Sequence, residues 1–175
     1  MGPQERMDQA FDNYLRLSDV LRSDMAALLD AGNEDATWRR NFIRAAGALT
    51  EGLGHCLREI AAIGLDCVAP ELQNDEREVL LSESNFSSAD RIKFTLRAAH
   101  KMFGLNPSPD FGGLGWIKAA TFLQKRHSLM HPKTIEDTDV SDTTWETCRE
   151  GIVWLSEQMF AVPRLLHEKH THSGS

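Results

Sequence analysis

One short stretch gathers an arginine and two histidines: Lys125-Arg126-His127-Ser128-Leu129-Met130-His131-Pro132. A fixed cation beside an imidazole that titrates near neutrality is what phosphodiester chemistry can use. Five positions of regular helix carry His131 about 140° past one full turn from Arg126, so the two do not share a stripe. His127 is the better helical neighbour of His131, at i and i+4. Pro132 biases His131 away from helical dihedrals, which lets its ring turn out of the helix and the three side chains converge. Spacing alone does not single the stretch out. Arg164 and His170 come within one position of repeating it.

The elements that must position these groups read as helices. Met7, Phe11, Tyr14, Leu21, Met25 and Leu28 form one stripe, interrupted by Ser18, and predict a helix from about 7 to 31, ended by Gly32-Asn33. Trp38, Phe42, Ala46, Leu49, Leu53, Cys56 and Ile60 form a bundle-type seam over about 35–64. Beside that seam runs a second stripe, Arg40, Arg44, Gly47, Glu51, Gly54 and Arg58. Its two glycines cost about 1 kcal/mol each relative to alanine. Either they are tolerated, or another helix approaches closely there and Glu51 faces a basic group. That surface is the candidate to pack on the helix bearing Arg126, or on its dimer mate.

Further along, a short helix is expected over 75–81. Ser88 caps another that runs to Phe103 and turns Ile92, Leu96, Ala99 and Phe103 inward. A Gly- and Pro-rich loop leads to a helix over 114–130 that buries Trp116, Ala119, Ala120, Leu123 and Met130 and carries Arg126 at its C-terminal end. Ser141 or Asp142 caps the last helix. Its seam is Trp145, Cys148, Ile152, Leu155, Met159 and Val162, and Pro163 should kink or break it. No stretch has strand periodicity. The expected class is all-α, an up-and-down bundle of four long helices plus a short fifth. A single domain spans 1–175, with its core over about 7–165 and a frayed polar tail at 166–175.

Lys plus Arg number 19 against 26 Asp plus Glu, a net charge of −7. With no basic run to offset that charge, any nucleic-acid contact must be local. The apolar runs are too short for a membrane span, and no signal peptide is evident at the N-terminus. Three cysteines without CxxC spacing (Cys56, Cys67, Cys148) suggest reduced thiols in a cytoplasmic protein and no zinc site. Cys56 and Cys67 read as core.

The central stretch resembles the hallmark of the HEPN-domain family of small helical bundles. That hallmark is an Arg, a polar residue (often Asn, Asp or His), three more residues, then His, frequently followed by Pro. Arg126 to Pro132 is similar to it throughout, with His127 where Asn is commoner. The helix from Arg40 to Glu51 looks like the family's first core helix. Trp116 ahead of the motif and Asp139-Val140-Ser141-Asp142 after it are similar too. The resemblance covers roughly Trp38 to Phe160.

What the resemblance implies is an endoribonuclease that needs no metal or cofactor. It would work as a homodimer whose two motifs face each other, in a toxin–antitoxin or antiviral-defence setting. An antitoxin or nucleotidyltransferase would be its partner. Arg126 would hold the phosphate, and His131 would transfer the proton of the 2′-hydroxyl or of the leaving 5′-oxygen. His127 would be a second proton-transfer group or orient the phosphate. Glu51, if it reaches Arg126, would fix the guanidinium, and Lys125 and Lys133 would add phosphate contacts.

Two other readings stand beside this one. A non-catalytic HEPN-like dimer would bind RNA or nucleotide, or act as an adaptor. A plain structural bundle would use Arg126 and His131 only to cap a helix, with Arg126 paired to an acid. A metal site on His167, His170 and His172 lacks rigid geometry. A Ser128–His131 hydrolase dyad lacks the strand-turn-helix elbow such chemistry uses.

Overall fold

The computed structural model describes residues 1–32, 34–66, 70–82 and 86–173, with side chains as far as Leu166. Asn33, Cys67, Glu83 and the side chains of His167, His170 and His172 lie outside that description, and with them the expectations they carry. Six α-helices and no strand occur among the described residues. They are α1 Pro3–Ala31, α2 Ala36–Gly64, α3 Asn74–Leu81, α4 Ser88–Phe103, α5 Leu114–Met130 and α6 Asp142–Ser173. A 3-10 turn, Glu136–Thr138, follows α5. The class is all-α as expected. The count differs: five of the six helices have 16 residues or more, and only α3, with eight, is short.

The chain divides into two compact units, one of Met1–Arg16, Leu53–Pro109 and Glu157–Ser175, the other of Leu17–Gly52 and Asp110–Ser156. The second contains the Arg126 stretch. Its core is built on Trp38, Phe42 and Trp145, whose ring centres lie 5.0 to 5.4 Å apart. Trp38 donates its indole N–H to the Leu28 carbonyl at 2.7 Å, satisfying an acceptor left over at the end of α1. Arg39 pairs with Asp142 at 2.6 Å, tying the start of α2 to the first turn of α6. Thr144 donates its backbone N–H to Ser141 Oγ at 3.3 Å, so Ser141 is the residue that caps α6.

Two glycines let α5 approach α6 closely. A Cβ on Gly151 would overlap the Lys118 carbonyl, and one on Gly115 would overlap the Trp154 indole. Phe111, Trp116 and Trp154 close the same contact edge to face. The buried face of α5 is Ala119, Phe122, Leu123 and Leu129. Met130, expected inside, is exposed. The helical turn that buries Leu129 points its successor outward.

In the first unit, Ser87 rather than Ser88 caps α4, accepting the Asp90 N–H at 3.1 Å. Glu76 on α3 is 1% exposed and accepts from Lys101 on α4 at 2.7 Å. It also accepts the backbone N–H of Gln73 at 2.8 Å, completing a capping box. The core here gathers Leu53, Cys56, Leu57, Ile60, Leu96 and Met159.

Pro163 does not break α6, and the helix continues through the expected frayed tail to Ser173. Proline has no N–H for the carbonyl four residues back, which is that of Met159. Tyr14 donates its hydroxyl to that carbonyl at 3.3 Å. The gap in the ladder is filled from α1, and the cost of proline inside a helix falls accordingly.

Candidate functional site

The candidate site is the C-terminal end of α5 and the loop after it. Arg126 is mostly buried, 16% exposed, and pairs through Nη2 with Glu51 Oε2 of α2 at 2.5 Å. Its aliphatic stem lies across Gly47. A Cβ there would meet Arg126 Cγ at 2.6 Å and Nε at 2.9 Å. The second stripe of α2 therefore does receive another element, and Glu51 does face a basic group. The other glycine of that stripe differs, because Gly54 leaves room for a Cβ, with its neighbours at 3.7 Å. Arg126 Nε is buried and has no hydrogen-bond partner among the described residues, where Nη2–Glu51 holds the guanidinium.

The end of α5 is capped by a group the sequence reading did not assign to the site. Arg44 of α2 donates through Nη2 to the Leu129 carbonyl at 3.2 Å, one of the acceptors a helix end leaves open. The available signal was its place in the Arg40–Arg58 stripe, one turn before Gly47. Arg126 itself is tied to an acid.

His131 sits just past the helix with φ −131° and ψ 56°, outside the helical region that a following proline disfavours. Its backbone N–H still bonds the His127 carbonyl at 3.0 Å, so the two residues remain one turn apart. Both rings are exposed, with centres 5.1 Å apart and planes at 52°.

The loop 132–139 is fixed rather than draped. The Asp137 carboxylate accepts the backbone N–H groups of Lys133 and Thr134 at 2.8 and 3.0 Å, which hold it below the ordinary aspartate range. Lys125 donates its ammonium to the Asp137 carbonyl at 3.0 Å. The site residues thus divide. Arg126 and Glu51 form one unit, and His127 and His131 stand together at the surface. Lys125 holds the loop, and Lys133 is exposed on it.

No family model, curated protein or solved structure matches this chain. Among the described residues, no helix is long and apolar enough to cross a membrane. Buried Cys148 has its thiol pushed up to about 11 by desolvation, and burial also raises the thiol of Cys56. Neither offers a nucleophile near neutral pH.

Proposed function

We propose that the chain is a HEPN-type, metal-independent endoribonuclease. It acts as a cytoplasmic homodimer of up-and-down helical bundles, in a toxin–antitoxin or antiviral-defence role. The observation that carries this reading is the Arg126 guanidinium, anchored by Glu51 over Gly47 on the helix that ends in two exposed, adjacent imidazoles. RNA brings its own nucleophile. The 2′-oxygen attacks phosphorus and its proton passes to neutral His131. The bond from phosphorus to the 5′-oxygen breaks, and an imidazolium supplies the proton that oxygen takes. His127, or the same residues of a second copy, is that acid. Arg126 faces the charge that develops on the phosphoryl oxygens, and Lys133 adds a local cation. A 2′,3′-cyclic phosphate is the first product. An antitoxin or nucleotidyltransferase partner would hold such an activity in check.

A second reading has its own support. Arg126 is already paired with an acid and Lys125 with a carbonyl, an arrangement shared by a plain structural bundle and by a non-catalytic dimer that binds RNA or nucleotide, or serves as an adaptor. Incubating a mixed RNA pool with purified protein in EDTA separates the two. Cleavage by wild type, with cyclic-phosphate ends, and at least about a hundredfold less by Arg126→Ala and His131→Ala is the expected result. Equal inactivity of all three, with the dimer intact, would support the binding reading.

A further inference from the structure

We infer that His127 and His131 together form an open chelating site for a divalent transition-metal ion such as Cu2+, Ni2+ or Zn2+. We also infer that a metal held there shuts off the proposed cleavage. The first statement stands on geometry alone; the second rests on the ribonuclease reading. A ring nitrogen lies about 2.0 Å from a bound ion, and its ring centre about 1.1 Å farther along the same line. Two imidazoles on one tetrahedral ion therefore hold their centres roughly 5 Å apart. The observed separation is 5.1 Å. The His131 N–H to His127 carbonyl bond keeps the two backbones one turn apart, within reach of that ring separation. Both rings already face solvent, so loading requires no opening of the core.

Among the described residues no cluster of three His, Cys, Asp or Glu side chains surrounds a common point. The pair therefore supplies two ligands, and water fills the remaining positions. Such a site exchanges its ion readily, unlike the closed four-ligand centres that hold structural zinc. An imidazole nitrogen that donates its lone pair to a metal cannot also accept the proton of a 2′-hydroxyl. Occupancy thus removes the proton carriers without displacing Arg126. Affinity should follow the general order for nitrogen ligands, with Cu2+ ahead of Ni2+ and Zn2+.

Calorimetric titration of metal-stripped full-length protein with CuCl2 or ZnCl2 alone tests the site without reference to RNA. We expect one ion per chain on this site. Affinity should fall about tenfold or more in His127→Ala and in His131→Ala. It should be retained when His167, His170 and His172 are all changed to alanine. No uptake by wild type, or uptake that survives His127→Ala/His131→Ala and vanishes in the C-terminal triple variant, overturns the site. Cleavage in EDTA that stops on adding excess Zn2+ and returns on chelation is expected for the regulatory part. Cleavage unaffected by a bound ion overturns that part alone. Absence of cleavage in EDTA counts against the ribonuclease reading and leaves the calorimetric result standing.

Discussion

Two regions use the same residue types in opposite ways. In the first unit, Glu76 is sealed at 1% exposure against Lys101, and neighbouring His100 is 2% exposed. In the second, Glu51 is half-exposed against Arg126, and His127 and His131 face solvent. Burial pushes the His100 imidazole below its ordinary value, with the Leu105 backbone opposing in smaller part. Neither His100 ring nitrogen has a partner at hydrogen-bonding geometry among the described residues. A histidine so placed is held neutral and serves packing. The exposed pair is open to solvent on the surface of the second unit. Environment, rather than residue type, separates a core histidine from a candidate for chemistry.

The largest expected break in this comparison is Lys101→Ala. It strands a carboxylate that, among the described residues, keeps the Gln73 backbone N–H as its partner, and should cost about 3 kcal/mol in denaturant unfolding. Glu76→Gln should cost less, about 1 kcal/mol, because Lys101 is 39% exposed and can turn to water. An equal or reversed cost would show that Glu76 is not a sealed charge.

Gly47→Ala sharpens the other side. The methyl gains about 1 kcal/mol of helix propensity and displaces the Arg126 stem, so stability should change by less than about 1 kcal/mol. RNA cleavage in EDTA should nonetheless be lost. Retained cleavage would mean the arginine acts from another position.

The smallest effect concerns pH. An unfolded imidazole titrates near 6.5, above the folded value of His100, so the unfolded chain takes up the extra proton first. This contribution to stability is complete above that range and declines as pH falls through about 6.5. Thermal midpoints from pH 8 to 5 should therefore fall less steeply for His100→Leu than for wild type. Parallel curves would reject the assignment.

The seams of α2 and α6 were legible because a one-sided apolar repeat leaves few alternatives. The limits of α5, Leu114–Met130, followed from Gly-rich and Pro punctuation. The Glu51–Arg126 contact was legible as a conditional: a carboxylate and a glycine one turn apart make a seat, but spacing does not say what sits there. Gly151 and Gly115 went unread because close approach is a property of two helices together. Nothing in the letters around Gly151 records Lys118, and nothing around Gly115 records Trp154. Pro163 was read by its local rule, and a donor far away in sequence overrode that rule.

That donor has a wider consequence. Tyr14 and Met159 are 145 residues apart, yet the first of these fills the acceptor that Pro163 leaves open in α6. The helix is one object in space and a joint product in sequence. A peptide copied from 142–173 would lack the hydroxyl that bridges its proline. A truncation that removed Tyr14 with the first turns of α1 would be felt at the opposite end of the chain.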